Sequence, residues 1–132
     1  MNKLKQSSKG FNLLELMITL AIIAIIVGLA YPSYSAYNRK ARRGDAQQQL
    51  MDWANQYELW RANNPSYVGA GATPPTNSYY TLSQVSADAV SYTIQAVAGG
   101  NQANDKEKGT SCTTLQLNQG GPTGGNEVCW GN

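Results

Sequence analysis

The sequence predicts an α+β fold: a long, kinked N-terminal α-helix packed on a small antiparallel β-sheet. Three observations predict it. Residues 16–38 carry no charge, residues 46–60 repeat apolar side chains at helical spacing, and residues 63–132 hold 10 of the 13 glycines and four of the five prolines. At 132 residues there is room for one domain.

The helix begins in an unusual way. Residues 1–10 contain Lys3, Lys5 and Lys9 and no acid, and the 23 residues from Leu16 to Asn38 are uncharged. As a helix that stretch is roughly 35 Å long, enough to cross a bilayer. Pro32 lies inside it, removes one backbone donor and should kink it.

Three readings fit a basic leader followed by an apolar run. One is a signal peptide cut after Ala30, in the small-residue context Gly28-Leu29-Ala30. Another is a plain membrane anchor. The third is a leader that ends at Gly10, with the apolar run retained. Glu15 separates them, because an ionised carboxylate at the head of an apolar helix costs several kcal/mol in hydrocarbon if unpaired. Cleavage between Gly10 and Phe11 would create an α-amine four residues before Glu15. The two charges could then neutralise each other, most simply between neighbouring subunits. A Glu15 side chain that snorkels to the headgroups is the competing account, and physical chemistry alone leaves both open.

The segment Lys9-Gly10-Phe11-Asn12-Leu13-Leu14-Glu15-Leu16-Met17-Ile18 resembles the prepilin cleavage motif of type IV pilins and type II secretion pseudopilins. The resemblance implies a leader over residues 1–10, cut after Gly10 by a prepilin peptidase that also N-methylates Phe11. It implies an assembly role for Glu15 and for Pro32, which falls where such pilins commonly kink. Asn12 stands where threonine is usual, and Ala24 where many members have a second helix-loosening glycine.

From Asp45 the pattern turns amphipathic. Ala46, Leu50, Trp53, Tyr57 and Trp60 recur at spacings of four, three, four and three, which makes one core-forming stripe. Asn63-Asn64-Pro65 closes the helix, because the residue before proline avoids the α region. Residues 66–78 read as a loop. Val90, Tyr92, Ile94 and Ala96 alternate with polar neighbours as a half-buried strand, and Thr113–Asn118 is a second. Asn118-Gln119-Gly120-Gly121 is a turn, and Cys129-Trp130 returns as a third strand or a strap. The expected division is a leader at 1–10, a transmembrane or assembly helix at 11–38, and a head at 39–132.

Cys112 and Cys129 read as a disulfide rather than a metal half-site, with two free thiols as the alternative. Zinc would need further ligands, and the chain has no histidine and no third cysteine. Asn104, Asp105 and Glu107 offer oxygens but lack the spacing of a calcium loop. No nucleophile elbow or phosphate loop is present, since Gly120–Gly125 lacks the Lys-Ser/Thr ending, so no catalytic residue and no cofactor is assigned. Without the three leader lysines, seven bases face eight acids, which gives no direct nucleic-acid site. Arg39, Lys40, Arg42 and Arg43 could touch anionic lipid, pair with acids of neighbouring subunits, or form a solvated face. Arg43-Gly44-Asp45, an integrin-type tripeptide, is a chance match within a helix.

The C-terminal part, with Tyr80-Thr81-Leu82, Tyr92-Thr93-Ile94, Gly99-Gly100-Asn101-Gln102, Asp105, Cys112, Leu115-Gln116-Leu117 and Cys129-Trp130, resembles the head of PilE-like minor pilins more loosely. The resemblance implies a structural subunit of a type IV pilus, with other pilins, a prepilin peptidase, the inner membrane and the pilus assembly platform as partners. The head would lie in the periplasm before assembly and outside the cell afterwards. A type II secretion pseudopilin is the alternative, and a secreted soluble binding domain a second one.

Overall fold

The computed structural model describes residues 10–71 and 73–131. Residues 1–9, on which the leader reading falls, lie outside them. The chain divides into two compact units, Met1–Ser35 and Ala36–Asn132. Helix α1, Leu13–Asn63, contributes to both, and it remains helical through Pro32.

In the first unit the sequence sets the helix start. Asn12 is its cap: the Leu14 N–H donates to Asn12 Oδ1 at 3.3 Å, and the Leu16 N–H to the Asn12 carbonyl at 3.1 Å. Every described residue from 10 to 34 is exposed, although most are leucine, isoleucine, alanine or valine. By length and composition this helix can cross a membrane.

The second unit is built on the amphipathic half of α1. Ala46, Leu50, Trp53, Ala54 and Tyr57 are buried, but Trp60 is 39% exposed at the helix end, with its indole N–H on the Ser66 carbonyl. The stripe therefore ends one turn earlier than its spacing suggests. Strands β1 (Tyr80–Ala87), β2 (Tyr92–Ala98), β5 (Thr114–Asn118) and β6 (Gly121–Thr123) pair antiparallel in the order β1-β2-β5-β6; β3 (Lys106–Glu107) and β4 (Thr110–Ser111) form a separate hairpin. Register places Leu82 opposite Ala96, Ala96 opposite Leu115, and Ile94 opposite Leu117, and all five are buried. Tyr57 stacks on Tyr92 at 4.6 Å, with Trp53 and Tyr67 edge-on to the pair. Burial pushes the hydroxyls of Tyr57, Tyr80 and Tyr92 above the usual phenol range, so all three are neutral at physiological pH.

Two local expectations need correction, and one strand had no expectation at all. Val90 is not in a strand: it is 73% exposed in a turn closed by Asp88, whose carboxylate accepts the N–H groups of Val90 and Ser91. The segment Cys129-Trp130 is neither strand nor extended strap but part of a 3-10 turn, Glu127–Trp130. Residues 80–87, which carry no clean alternation, form β1, because a bulge between Gln84 and Ser86 turns Val85 out to solvent.

Cys112 and Cys129 are bonded, with Cα atoms 5.7 Å apart, and both are buried. The bond ties the start of β5 to the 3-10 turn that ends the head. Changing both cysteines to serine should lower the unfolding free energy by roughly 3 kcal/mol in a urea titration of the chain in neutral detergent. Thiol labelling of both cysteines in the native wild-type protein would contradict the bond.

Candidate functional site

The expected cleavage and assembly residues all lie in the first unit. Gly10 and Phe11 are exposed just before α1, and Glu15 sits in its first turn, where the helix dipole favours a carboxylate. The Glu15 carbonyl accepts the Thr19 hydroxyl at 2.7 Å. No ion pair engages the Glu15 carboxylate among the described residues. Phe11 and Glu15 are one helical turn apart in sequence, and Pro32 stands alone further along α1. An added Cβ at Gly28, one turn before Pro32, would meet nothing within 4 Å, so packing within this chain does not require that glycine.

The second unit holds a polar site that periodicity did not reveal. Arg39, Arg43 and Gln47 follow each other at intervals of four along α1, beside the apolar stripe. Arg43 is only 3% exposed: Nη1 donates to Asp105 Oδ2 at 2.7 Å, and Nη2 donates to Glu107 Oε2. Lys40 Nζ approaches the same Glu107 oxygen at 3.4 Å. Gln102, also buried, donates its amide to the Arg39 carbonyl at 2.8 Å and to the Tyr80 hydroxyl at 3.1 Å. Gln47 donates to the Cys129 carbonyl at 2.8 Å. One helix edge thus holds the irregular segment 102–107 and the disulfide turn.

The four bases after the apolar run therefore differ in surroundings. Arg43 is buried in ion pairs, the Arg42 guanidinium lies 4.0 Å over the Tyr79 ring, and Lys40 keeps a 66% exposed side chain. The interval of four to Gln47, and of three to Ala46, was the available signal that Arg43 faces inward. Asp105 and Glu107, considered above as oxygen donors for a metal, are engaged by Arg43. Beside them is a cleft of about 330 Å³ between α1, the β3–β4 turn and the C-terminal turn.

A family model described as "Type IV minor pilin ComP, DNA uptake sequence receptor" matches residues 32–116, which is more than half of the chain. This chain belongs to the type IV minor pilin family. A second model, the prokaryotic N-terminal methylation motif, matches residues 5–31. Among curated pilins, the fimbrial protein EcpC of Eikenella corrodens is 33% identical over 89 residues, covering 62% of this chain and 56% of that protein. The type IV wide pilus major component PilA4 of Thermus thermophilus is 33% identical over 101 residues, covering 72% and 77%. The crystal structure of the non-core minor pilin PilV of Neisseria meningitidis matches with a TM-score of 0.52 over 71% of this chain and 95% of that one. At 17% identity that match shows the fold alone. The chain spans between 36% and 62% of the length of three of the curated pilins it matches. The family is one of structural pilins.

The buried pairs make two predictions. Arg43→Met should destabilise the pilin head by roughly 3–5 kcal/mol, because Asp105 is left buried without its counter-charge; adding Asp105→Asn should recover part of that loss in urea unfolding. The hydrogen bond from Arg43, then that from Lys40, holds the Glu107 carboxyl below the usual range. Its contribution is present above the unfolded carboxylate value of about 4 and is lost as pH falls through the lower folded value. The melting temperature of Glu107→Gln should therefore fall less steeply than that of wild type below about pH 4.

Proposed function

We propose that the chain is a structural pilus subunit whose leader, residues 1–10, is removed between Gly10 and Phe11 by a prepilin peptidase that methylates the new amine. Residues 11–38 then hold it in the inner membrane, with the head (39–132) in the periplasm, until the assembly platform transfers it into a filament. The observation that carries this reading is Glu15: a carboxylate without an ion pair among the described residues, in the first turn of α1, directly before an uncharged run that is exposed as far as Tyr34. The family's methylation motif supports the same assignment. In the filament the Phe11 amine and a Glu15 carboxylate neutralise each other across neighbouring subunits. Gly28 and Pro32 loosen the helix there, since proline withholds the donor that the Gly28 carbonyl would otherwise accept. A pseudopilin role fits the helix equally well but is less favoured by the minor-pilin match over residues 32–116.

Two variants test the reading. Glu15→Ala should be cleaved and methylated yet incorporated poorly, because an unpaired amine in an apolar bundle costs a few kcal/mol, or about tenfold or more in filament content. Gly10→Val should block processing. Wild-type filament content of the alanine variant would remove the pairing, and an unprocessed alanine variant would mean that the peptidase reads Glu15.

A DNA-receptor role, the one printed in the family description, is the second reading. Charge does not favour it. Residues 39–132 hold seven bases and seven acids, and Arg43 is engaged internally. Mobility-shift titrations with duplex DNA should show only salt-sensitive binding in the non-specific range of about 10⁻⁴–10⁻⁶ M. Tighter, sequence-dependent binding would reverse the order of the two readings.

A further inference from the structure

The cleft beside the Arg43 ion pairs is lined by Lys40, Gly44 and Gln47 of α1, Lys108 of the β3–β4 turn, and Trp130 and Gly131 of the C-terminal turn. Arg43 and Glu107 also line it. Glu107 is the only acid in that lining, and its carboxylate is held by Arg43 and Lys40. With Asp105 behind Arg43 counted as well, three cations face two anions, an excess of one positive charge at the cleft. Lys108 is exposed and makes no ion pair among the described residues. Its backbone is held at φ 48, next to Gly109 at φ 84, a turn conformation that non-glycine residues seldom adopt. Trp130 lines the cleft, and its buried indole N–H has no acceptor among the described residues. Lysines from two different elements, a net positive lining and an indole donor left over beside it describe a site for an oxyanion.

We propose that this cleft binds the phosphate of an anionic phospholipid headgroup while the subunit is membrane-inserted, an inference that rests on the membrane stage of the reading above. The choice of lipid follows from the position of Lys40. It lies two residues after Asn38, the last residue of the uncharged run, which is roughly 3 Å of helix rise. A base that close to the end of an uncharged spanning run is within reach of the headgroups. Lys40 and Lys108 bind the phosphate oxygens by charge and hydrogen bonding, and the headgroup is left behind when the subunit leaves the bilayer.

The test uses the full chain in nanodiscs of equal phosphatidylcholine and phosphatidylglycerol, with retained lipid read by native mass spectrometry. Wild type should retain phosphatidylglycerol over phosphatidylcholine. Lys40→Ala and Lys108→Ala should each reduce the preference by about fivefold, the effect of one surface base on anionic lipid. The Lys40→Arg and Lys108→Arg variants should restore it. Arg61→Gln, which removes the same charge at the other end of the head helix, should leave it unchanged. An equal loss in Arg61→Gln, or full preference in the double alanine variant with its disulfide intact, would overturn the site. So would displacement of the lipid by millimolar inorganic phosphate, which would assign the cleft to the free anion, or by duplex DNA, which would assign it to nucleic acid. If the chain fails to enter nanodiscs at all, the membrane reading falls; if it enters without lipid preference, only this inference does.

Discussion

The rest of the structure answers to one constraint: the described residues leave the apolar half of the helix uncovered. From Leu13 to Tyr34 the large side chains stand exposed, with no second layer of the described residues against them. At about 25 cal/mol per Å² of apolar surface, water is not a tolerable neighbour for a face of that extent. Only a bilayer or copies of similar helices can take its place. A bilayer asks only for length and lack of charge. A bundle of helices asks in addition that any charge at the apolar end be neutralised, and Glu15 is the group for which that demand is specific.

The head meets the opposite demand, since it must stay folded in water with a small core. Its regular part is four short strands over five buried apolar residues of α1. Its irregular parts, residues 99–113 and 124–131, are held by chemistry rather than by that sheet. Arg43 reaches Asp105 and Glu107, Gln47 reaches the Cys129 carbonyl, and the disulfide joins residues 112 and 129. The same helix edge thus fixes both ends of the segment that closes the head. Such a buried ion cluster contributes geometry more surely than stability, because its desolvation offsets much of its attraction.

Much of this was legible in the sequence because strong periodicities encode it. The uncharged run, the stripe from Ala46 to Tyr57, the alternation in β2 and β5, and the type IV pilin motif around Gly10 and Glu15 each stand out locally. What escaped depends on local chemistry or distant partners. Val90 fits a strand by alternation, yet the Asp88 carboxylate captures its N–H and bends the chain. Strand β1 was hidden because its bulge breaks the period at Val85. Trp60 continues the stripe arithmetically but is left partly exposed in the last turn of α1, on the loop that follows it. Arg43 looked like one of four surface bases, since its partners lie 62 and 64 residues away. Asn12, which departs from the threonine usual at that position, is the cap of the helix.

The central claim is that the apolar helix is retained and begins a mature chain with a charged amine four residues before a carboxylate. Intact-mass and N-terminal analysis of the protein recovered from cells test it most directly. The account predicts a chain that starts at Phe11, carries one N-methyl group and contains the Cys112–Cys129 bond. A chain that starts at Tyr31, or one that retains residues 1–10 in the assembled fraction, would contradict it.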